Sequence, residues 1–324
     1  MTKAIRIHAF GGPDVLRWED VEVGQPGPGQ ARIRQNAVGL NFIDVYHRTG
    51  LYPNALPAVL GTEGAGIVLE LGSGVTHLKV GDRVAYAVTA IGAYAEERLI
   101  PADRLVKIPA EITDQQAAAM MLQGMTAQYL LRRTKRVQAG ETILIHAAAG
   151  GVGLIACQWA KALGATVIGT VSSEEKAALA KANGCDHPII YTKDDFVSRV
   201  KEITGGKGLP VVYDSVGKDT FLKSLDCLHP LGLMVTFGQS SGKVDPIDIG
   251  LLAAKGSLFL TRPTLPHYTA KREDLEATAA DLFAIVASGQ VKINVNQTYP
   301  LSETAQAHRD LEGRKTTGSV VLLP

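Results

Sequence analysis

The stretch Thr142-Ile-Leu-Ile-His-Ala-Ala-Ala-Gly-Gly-Val-Gly153 decides the reading of this chain. An apolar, β-branched run gives way to small residues and a glycine pair. It continues into Leu154-Ile-Ala-Cys-Gln-Trp-Ala-Lys161, which reads as a helix. Strand, tight turn and helix form the local geometry that sets a pyrophosphate on a helix N-terminus. The Gly-x-Gly-x-x-Gly pattern of dinucleotide-binding turns is filled here by Ala148, Gly150 and Gly153. Gly150 lets the backbone approach the pyrophosphate, and Gly153 lets the helix close on the strand. Ala148 departs from the pattern, so the first turn must differ. A glycine triplet alone is a weak signal, but here a second strand, Ala165-Thr-Val-Ile-Gly-Thr-Val171, follows the helix. The turn Ala149, Gly150, Gly151 and Val152 is therefore the candidate cofactor-binding backbone.

Outward from this turn, strands and helices alternate from Glu141 on. Strands are expected at Thr142–Ala147, Thr166–Val171, His187–Tyr191, Leu209–Asp214, Leu233–Gly238 and Ser257–Thr261. Helices are expected at Gly153–Leu163, Ser173–Asn183, Asp195–Thr204 and Asp219–Leu228. Such alternation implies an α/β class, a doubly wound parallel sheet with helices on both faces. Upstream, residues to about 110 read as short strands and dense turns, including Lys3–Phe10, Gln30–Leu40, Gly66–Leu71 and Arg83–Val88. This is an all-β pattern, expected to form a partly open barrel. A long helix follows at Thr113–Arg133. After Pro263 come a helix (Lys271–Ser288), a strand near Gln297–Tyr299, a helix (Ser302–Gly313) and a strand (Ser319–Leu323). That tail is too short for a domain of its own and is expected to return to the first one.

Composition narrows the function. The chain has 324 residues, 46% hydrophobic and 20% charged, with a net charge of +1, which is ordinary for a globular protein of about two domains. Near-zero charge gives no support to nucleic acid or an acidic membrane as partner. No apolar run is long enough to span a bilayer, and the N-terminus lacks a signal-peptide core. The three cysteines, Cys157, Cys185 and Cys227, are too few and too odd for a disulfide framework. A cytoplasmic protein is the expectation.

In NAD-binding folds a carboxylate near the end of the second strand bonds the ribose hydroxyls. Here that strand runs into Ser172-Ser-Glu-Glu-Lys176 with no carboxylate at its tip. Ser172 and Lys176 suit a 2′-phosphate, which an Asp there would repel, and this favours NADP(H). Ser172 and Glu175 also fit a Ser-x-x-Glu capping box, in which case both carboxylates are first-turn residues only.

The segments Gly140-Glu-x-x-Leu144, Ala148-Ala-Gly-Gly-x-Gly153 and Gln158-x-x-Lys161 fill a family signature. With Gly39-Leu-Asn-Phe-Ile-Asp44, Gly61-Thr-Glu-Gly64, Val212-Val-Tyr-Asp-Ser-Val-Gly217 and Gly256-Ser-Leu258, the whole chain resembles the quinone oxidoreductase (zeta-crystallin-like) family of medium-chain dehydrogenases/reductases. The resemblance implies a GroES-like catalytic domain from residues 1–124 and 262–324 around a Rossmann NADP-binding domain at 125–261. It implies NADPH as cofactor, bound between the domains, and a small-molecule quinone as substrate. It also implies a homodimer joined through the edge strand at Ser257–Leu260, where pairing would remove a bare sheet edge.

By the same resemblance Thr126 lies near the nicotinamide, and Ser172, Lys176 and Tyr191 hold the adenosine end. Ser215, Phe237 and Gly238 follow strands at their carboxyl ends, and Arg314 reaches a cofactor phosphate. Arg314 also reads as an ordinary cation at a helix C-terminus. The zinc-dependent branch carries Cys-x-x-Asp-x-His and Gly-His-Glu. This chain has Asn41-Phe-Ile-Asp44-Val-Tyr46 and Gly61-Thr62-Glu63, and the first domain has no cysteine. Asn, Tyr and Thr are poor zinc ligands, so no metal site is expected. Without a Lewis acid, reduction of a ready hydride acceptor suits the site better than alcohol oxidation. Asn41 and Tyr46 can donate hydrogen bonds to a carbonyl oxygen as charge develops, and Tyr52 can do so or stack on a quinone. Asp44 reads as a structural acceptor. Two other readings stand beside this one. The first is an NADPH-dependent reductase of activated carbon–carbon double bonds. The second is a cofactor-binding, crystallin-like or RNA-binding protein with little turnover, disfavoured by the near-zero charge and the lack of an aromatic–basic motif.

Overall fold

In the computed structural model, which describes residues 1–87 and 90–324, contacts divide the chain into two units. One comprises residues 1–125, 269–287 and 293–324; the other comprises 126–268 and 288–292. The first opens with β1 (Thr2–Ile7), β2 (Arg17–Val21), β3 (Gln30–Leu40), α1 (Phe42–Thr49), β4 (Ala58–Val59), β5 (Glu63–Leu71), β6 (Arg83–Ala87), β7 (Glu97–Pro101) and β8 (Val106–Lys107). The expected end of the sixth strand, Val88, lies outside the described residues. β3 is the spine: it pairs antiparallel with β5, and its first half also pairs with β7. Its burial alternates through Ala31, Ile33 and Gln35 until a bulge between Gln35 and Ala37 breaks the period. Ala37 through Leu40 are then all buried. The core around it includes Ile5, Ile33, Leu40, Val68, Tyr86 and Ile100.

The all-β reading of this region misses α1. Asn41 takes the extended N-cap conformation, Asp44 stands at N3, and Gly50 ends the helix in left-handed backbone at φ 78°. These are complete start and stop signals, masked by the strand-rich surroundings. The long helix α2 (Asp114–Tyr129) runs on through a wide turn at Leu130–Thr134.

The second unit is built from β9 (Thr142–Ile145), α3 (Gly151–Ala162), β10 (Thr166–Val171), α4 (Glu174–Ala182), β11 (His187–Ile190), α5 (Phe196–Ile203), β12 (Leu209–Asp214), α6 (Phe221–Leu225), β13 (Leu228–Thr236), α7 (Gly250–Ala254), β14 (Phe259–Thr261) and α8 (Leu265–Tyr268). The sheet order is β11-β10-β9-β12-β13-β14, with every pair parallel. Its central strands are covered on both faces, which is why they read as unbroken apolar runs. Leu144, Ile168, Val212, Met234 and Phe221 form the core. α3 begins two residues earlier than the sequence suggested. β13 begins at Leu228 rather than Leu233, so the preceding helix is short. The order of connection reverses between β9 and β12, and such a switch point opens a ligand crevice at the strands' carboxyl ends.

The tail adds α9 (Arg272–Ala287), β15 (Val295–Pro300), α10 (Thr304–Glu312) and β16 (Ser319–Leu323). β16 pairs antiparallel with the end of β3, and β15 runs parallel to β16. Residues just before Thr269 stay with the second unit because Tyr268 stacks on Tyr129, with centroids 4.5 Å apart. Arg133 also donates to the Tyr268 carbonyl at 2.6 Å.

Gly153 has no room for a side chain: a Cβ there would lie 2.3 Å from the Ala147 carbonyl oxygen. Gly153→Ala is expected to cost about 1–3 kcal/mol by forcing α3 off the strand. Urea unfolding monitored by the fluorescence of Trp159, buried on that helix, checks this.

Candidate functional site

The crevice of the second unit starts where β9 ends. Ala147, not Ala148, takes the left-handed conformation, at φ 53°, and the Ala148 N–H donates to the Thr170 carbonyl at 3.0 Å. The position filled by Ala148 therefore does not require glycine. Its methyl is instead accommodated by Gly169 of the neighbouring strand, where a Cβ would lie 2.6 Å from that of Ala148. Gly150 is the N-cap of α3 and supplies no capping side chain, and the first turn holds no acidic residue. The N–H groups of Gly151, Val152 and Gly153 thus lack intrahelical partners and face the crevice with the positive end of the helix dipole. Such a terminus fits an anionic diphosphate.

Two buried polar side chains brace the edge. His146 bridges Thr170 Oγ1 and Ser224 Oγ, each at 2.8 Å, and burial holds its pKa below the usual value. The Asp214 carboxylate accepts from the N–H groups of Val216 (2.7 Å) and Gly217 (3.2 Å) and from the Thr220 hydroxyl. That fixes the loop carrying Ser215. Phe237 and Gly238 follow the adjacent strand, since Asp214 pairs with Thr236. Arg262, which sequence reasoning passed over, donates to Thr236 Oγ1 at 3.1 Å and to the Gly238 carbonyl at 3.2 Å.

Ser172 and Tyr191 emerge side by side, because Val171 pairs with Ile190. The N-cap of α4 is Ser173, whose hydroxyl accepts from the Lys176 N–H at 3.3 Å. The Ser172–Glu175 capping box is therefore not formed, and Glu174 pairs with Lys193 at 2.6 Å. Lys176 stands in the first turn of α4. One sheet edge thus gathers Ala149–Val152, Ser172, Lys176, Tyr191, Ser215, Phe237 and Gly238. Thr126 lies on α2, buried, with its hydroxyl bonded to Tyr129. Arg314 belongs to the first unit. It is exposed beyond the C-terminus of α10, in left-handed backbone at φ 57°.

In the first unit, α1 brings Asn41 and Tyr46 together with Tyr52. Tyr46 is buried and meets Tyr52 edge-on at 5.3 Å and Phe42 at 5.7 Å. The Tyr52 N–H donates to the Tyr46 carbonyl at 3.0 Å. Asn41 is buried in a chain of polar groups: its Nδ2 donates to Glu63 Oε2 at 2.6 Å, and its Oδ1 accepts from Gln123 Nε2 at 3.0 Å. The other Glu63 oxygen accepts from the Leu122 N–H at 2.6 Å. Gly39 makes this possible, since a Cβ there would lie 2.3 Å from both Glu63 Oε2 and the Ala118 carbonyl. Burial pushes the Glu63 carboxyl up to about 8. Sequence reasoning missed Glu63 and Gln123. The available signal was a carboxylate at the start of a mostly apolar strand, set opposite a glycine.

Asp44 accepts from the Asn41 N–H (2.9 Å) and from the Thr62 and Tyr94 hydroxyls (3.1 and 2.9 Å). It is a structural acceptor, and burial raises its carboxyl to about 6. Behind Tyr94 runs a second chain. Arg48, buried, grips Glu312 with two bonds of 2.8 Å and donates to His308 Nδ1 at 2.9 Å. A guanidinium only donates, so the His308 proton sits on Nε2, 3.1 Å from the Tyr94 hydroxyl. Tyr94 in turn donates to Asp44. Burial and the adjacent Arg48 push the His308 pKa down to about 3. Among the described residues no three His, Cys, Asp or Glu side chains gather where they could hold a metal ion.

Comparison with known proteins gives two family matches. Residues 27–110 match the alcohol dehydrogenase GroES-like domain family, and residues 151–282 match the zinc-binding dehydrogenase family. The positions of Asn41, Tyr46 and Thr62 lie outside the second match. The chain is 54% identical over 325 residues to a quinone oxidoreductase of Pseudomonas aeruginosa, covering all of both chains. It is 51% identical to a 2-haloacrylate reductase of a Burkholderia species, covering all of this chain and 99% of the relative. The crystal structure of Escherichia coli quinone oxidoreductase complexed with NADPH superposes with a TM-score of 0.98 at 51% identity, over 99% of this chain and all of that one.

His308 provides a test of the buried chain. Its folded pKa lies below the unfolded one, so the folded state binds fewer protons and stability falls as pH drops from 6.5 towards 3. In His308→Gln that contribution disappears. The stability advantage of the wild type over the variant is expected to shrink below pH 6.5, by up to about 1.4 kcal/mol per pH unit. Urea titrations of both proteins across this range check it.

Proposed function

Because the chain belongs to the quinone oxidoreductase family of medium-chain dehydrogenases/reductases, we propose that it reduces quinones with NADPH and without a metal ion. The crevice of the second unit carries this reading. It has an uncapped, carboxylate-free helix N-terminus beside a strand end that offers Ser172, with Lys176 one turn on, where NAD-preferring folds place an acid. Gly150, Gly151 and Val152 would hold the diphosphate. Ser172, Lys176 and Tyr191 would hold the 2′-phosphate and adenine end, and Ser215, Phe237, Gly238 and Thr126 would line the way to the nicotinamide. Arg314 is assigned to a cofactor phosphate on the resemblance alone. When bound, NADPH supplies the hydride.

The first unit is the proposed catalytic domain. The buried polar chain takes one of the two Asn41 Nδ2 hydrogens, and the second can meet a carbonyl oxygen as charge develops there. Tyr46 and Tyr52 offer aromatic faces and hydroxyls to the same acceptor. The substituted ligand positions favour this chemistry, since Asn, Tyr and Thr donate hydrogen bonds well and bind zinc poorly. The 51% identity to a 2-haloacrylate reductase supports a second reading, reduction of an activated carbon–carbon double bond by the same residues.

We further infer a homodimer and a cytoplasmic location. The outer edge of β14 has no partner within the described sheet, and Phe259 and Leu260 are 59% and 40% exposed. An apolar sheet edge of this kind calls for a covering strand. The three cysteines are free and buried, as in a reducing compartment. No helix among the described residues is long and apolar enough to cross a membrane.

The test is oxidation of NADPH by chelator-treated protein, followed by nicotinamide absorbance, with 1,4-benzoquinone, a naphthoquinone or an enone as acceptor. Quinone-dependent turnover that survives chelation is expected, and turnover with the enone alone would move the assignment to the second reading. Lys176→Ala is expected to weaken NADPH binding by roughly tenfold while leaving NADH nearly unchanged. Equal weakening of both would sink the 2′-phosphate assignment. Asn41→Ala is expected to lower kcat by about tenfold to a hundredfold with smaller effect on NADPH affinity.

A further inference from the structure

We propose that Glu63 is a positioning residue whose protonation turns the Asn41 amide end for end, with Gln123 and Ser319 following, so that it governs the donor Asn41 offers to the substrate carbonyl. The link to the substrate rests on the reading of Asn41 given above; the switch itself rests on geometry. Glu63 Oε1 already accepts from the Leu122 N–H at 2.6 Å, which makes Oε2 the favoured seat for a proton on this carboxyl. Oε2 faces the Asn41 amide, 2.6 Å away.

With Glu63 ionised, Asn41 Nδ2 donates to it, Asn41 Oδ1 accepts from Gln123 Nε2, and Gln123 Oε1 accepts from the Ser319 hydroxyl at 2.6 Å. With Glu63 neutral, Oε2–H must donate. The amide group it faces must then present its oxygen, and Asn41 Nδ2 faces Gln123. Gln123 must reverse in turn, placing Nε2 against Ser319, whose oxygen now accepts. The Ser319 hydrogen then needs a second acceptor, and the Ala119 carbonyl lies 2.9 Å from the hydroxyl. Each link of the chain keeps one donor facing one acceptor in both states, because Ser319 has two acceptors in reach and one hydrogen to give. Amide orientation is set by such networks and not by shape.

The charged surroundings of Glu63 are few. Asp44 of α1 opposes its ionisation, and Tyr86 of β6 and Tyr94 interact with it. Arg98 lies beyond Tyr86, 5.0 Å from its ring, and Arg48 lies beyond Tyr94 and His308. From α2 it accepts from the N–H groups of Met121 and Leu122. Burial places its titration at about 8. Below that pH Glu63 places no charge behind Asn41, and the Asp44 carboxylate, which accepts from the Asn41 backbone N–H, is a constant background across the inflection. Above it, a full negative charge lies one amide away from the oxygen on which charge develops, and opposes it.

The experiment follows the side-chain amide of Asn41 by NMR in asparagine-labelled protein, from about pH 6.5 to about 9.5, alongside kcat/KM for benzoquinone. The Asn41 signal is expected to titrate near pH 8. The rate is expected to fall about tenfold across the same inflection, and both changes are expected to be absent in Glu63→Gln. An amide signal that is flat over this range in the wild type overturns the switch, as does a pH 8 inflection that persists in Glu63→Gln. The wild-type titration needs no variant, so misfolding of Glu63→Gln leaves the test intact. An amide that titrates while turnover stays flat overturns the role of Asn41 in the reaction. Absence of any quinone turnover overturns the proposed function while the amide titration still decides the switch.

Discussion

The site of the first unit depends on Asp44, a buried carboxylate that no lysine or arginine bonds among the described residues. Three uncharged donors hold it: the Asn41 N–H and the hydroxyls of Thr62 and Tyr94. Hydrogen bonds to a charged acceptor contribute about 1.5–3 kcal/mol each, against a desolvation cost of several kcal/mol for a buried ion. The balance still disfavours charge, and the carboxyl sits at about 6 rather than its usual 3.8. What this arrangement gains is position. The same carboxylate opens α1, holds the Thr62 loop and orients Tyr94, through which it is coupled to His308, Arg48 and the distant α10. Asn41 and Tyr46 are placed by the helix that Asp44 starts.

The second unit reaches its site by other means. Its crevice is made by missing side chains and helix N–H groups without intrahelical partners, and two of the buried polar residues near it, His146 and Asp214, act as struts that bond to other groups of the same unit. Shape does there what buried charge does in the first unit. A backbone cradle of this kind fits the repeating part of a cofactor, whereas a carbonyl acquiring charge needs donors aimed at one oxygen.

The parallel sheet was legible in the sequence because its strands are buried on both faces and its helices carry clear signals. Edges shifted by a few residues, as at β13. The turn Ala147–Gly153 was legible in kind, but not in which residue turns left-handed, since that depends on Gly169 making room in the next strand. α1 was missed although Asn41, Asp44 and Gly50 spell its start and end, because its neighbours are strands. The Ser172 capping box failed for a local reason: the chain turns one residue later, and Ser173 takes the cap. Glu63 and Gln123 were missed because they join Asn41 from separate elements, and Arg48 and His308 because they meet through a contact between α1 and α10 whose ends lie 260 residues apart in the chain.

The substituted positions and the raised carboxyls express one fact. A thiolate and an imidazole at the places of Asn41 and Thr62 would suit a divalent cation, which would favour negative charge on any carboxylate beside it. With an amide and a hydroxyl there instead, Glu63 and Asp44 must be satisfied by neutral donors, and burial then lifts both. Glu63, held like Asp44 by three neutral donors but opposed in addition by the charge of Asp44, is lifted further. The exchange thus replaces a fixed positive centre with a set of amides and hydroxyls whose hydrogens can be redirected. In such a set the proton on one carboxyl decides which way the neighbouring bonds point.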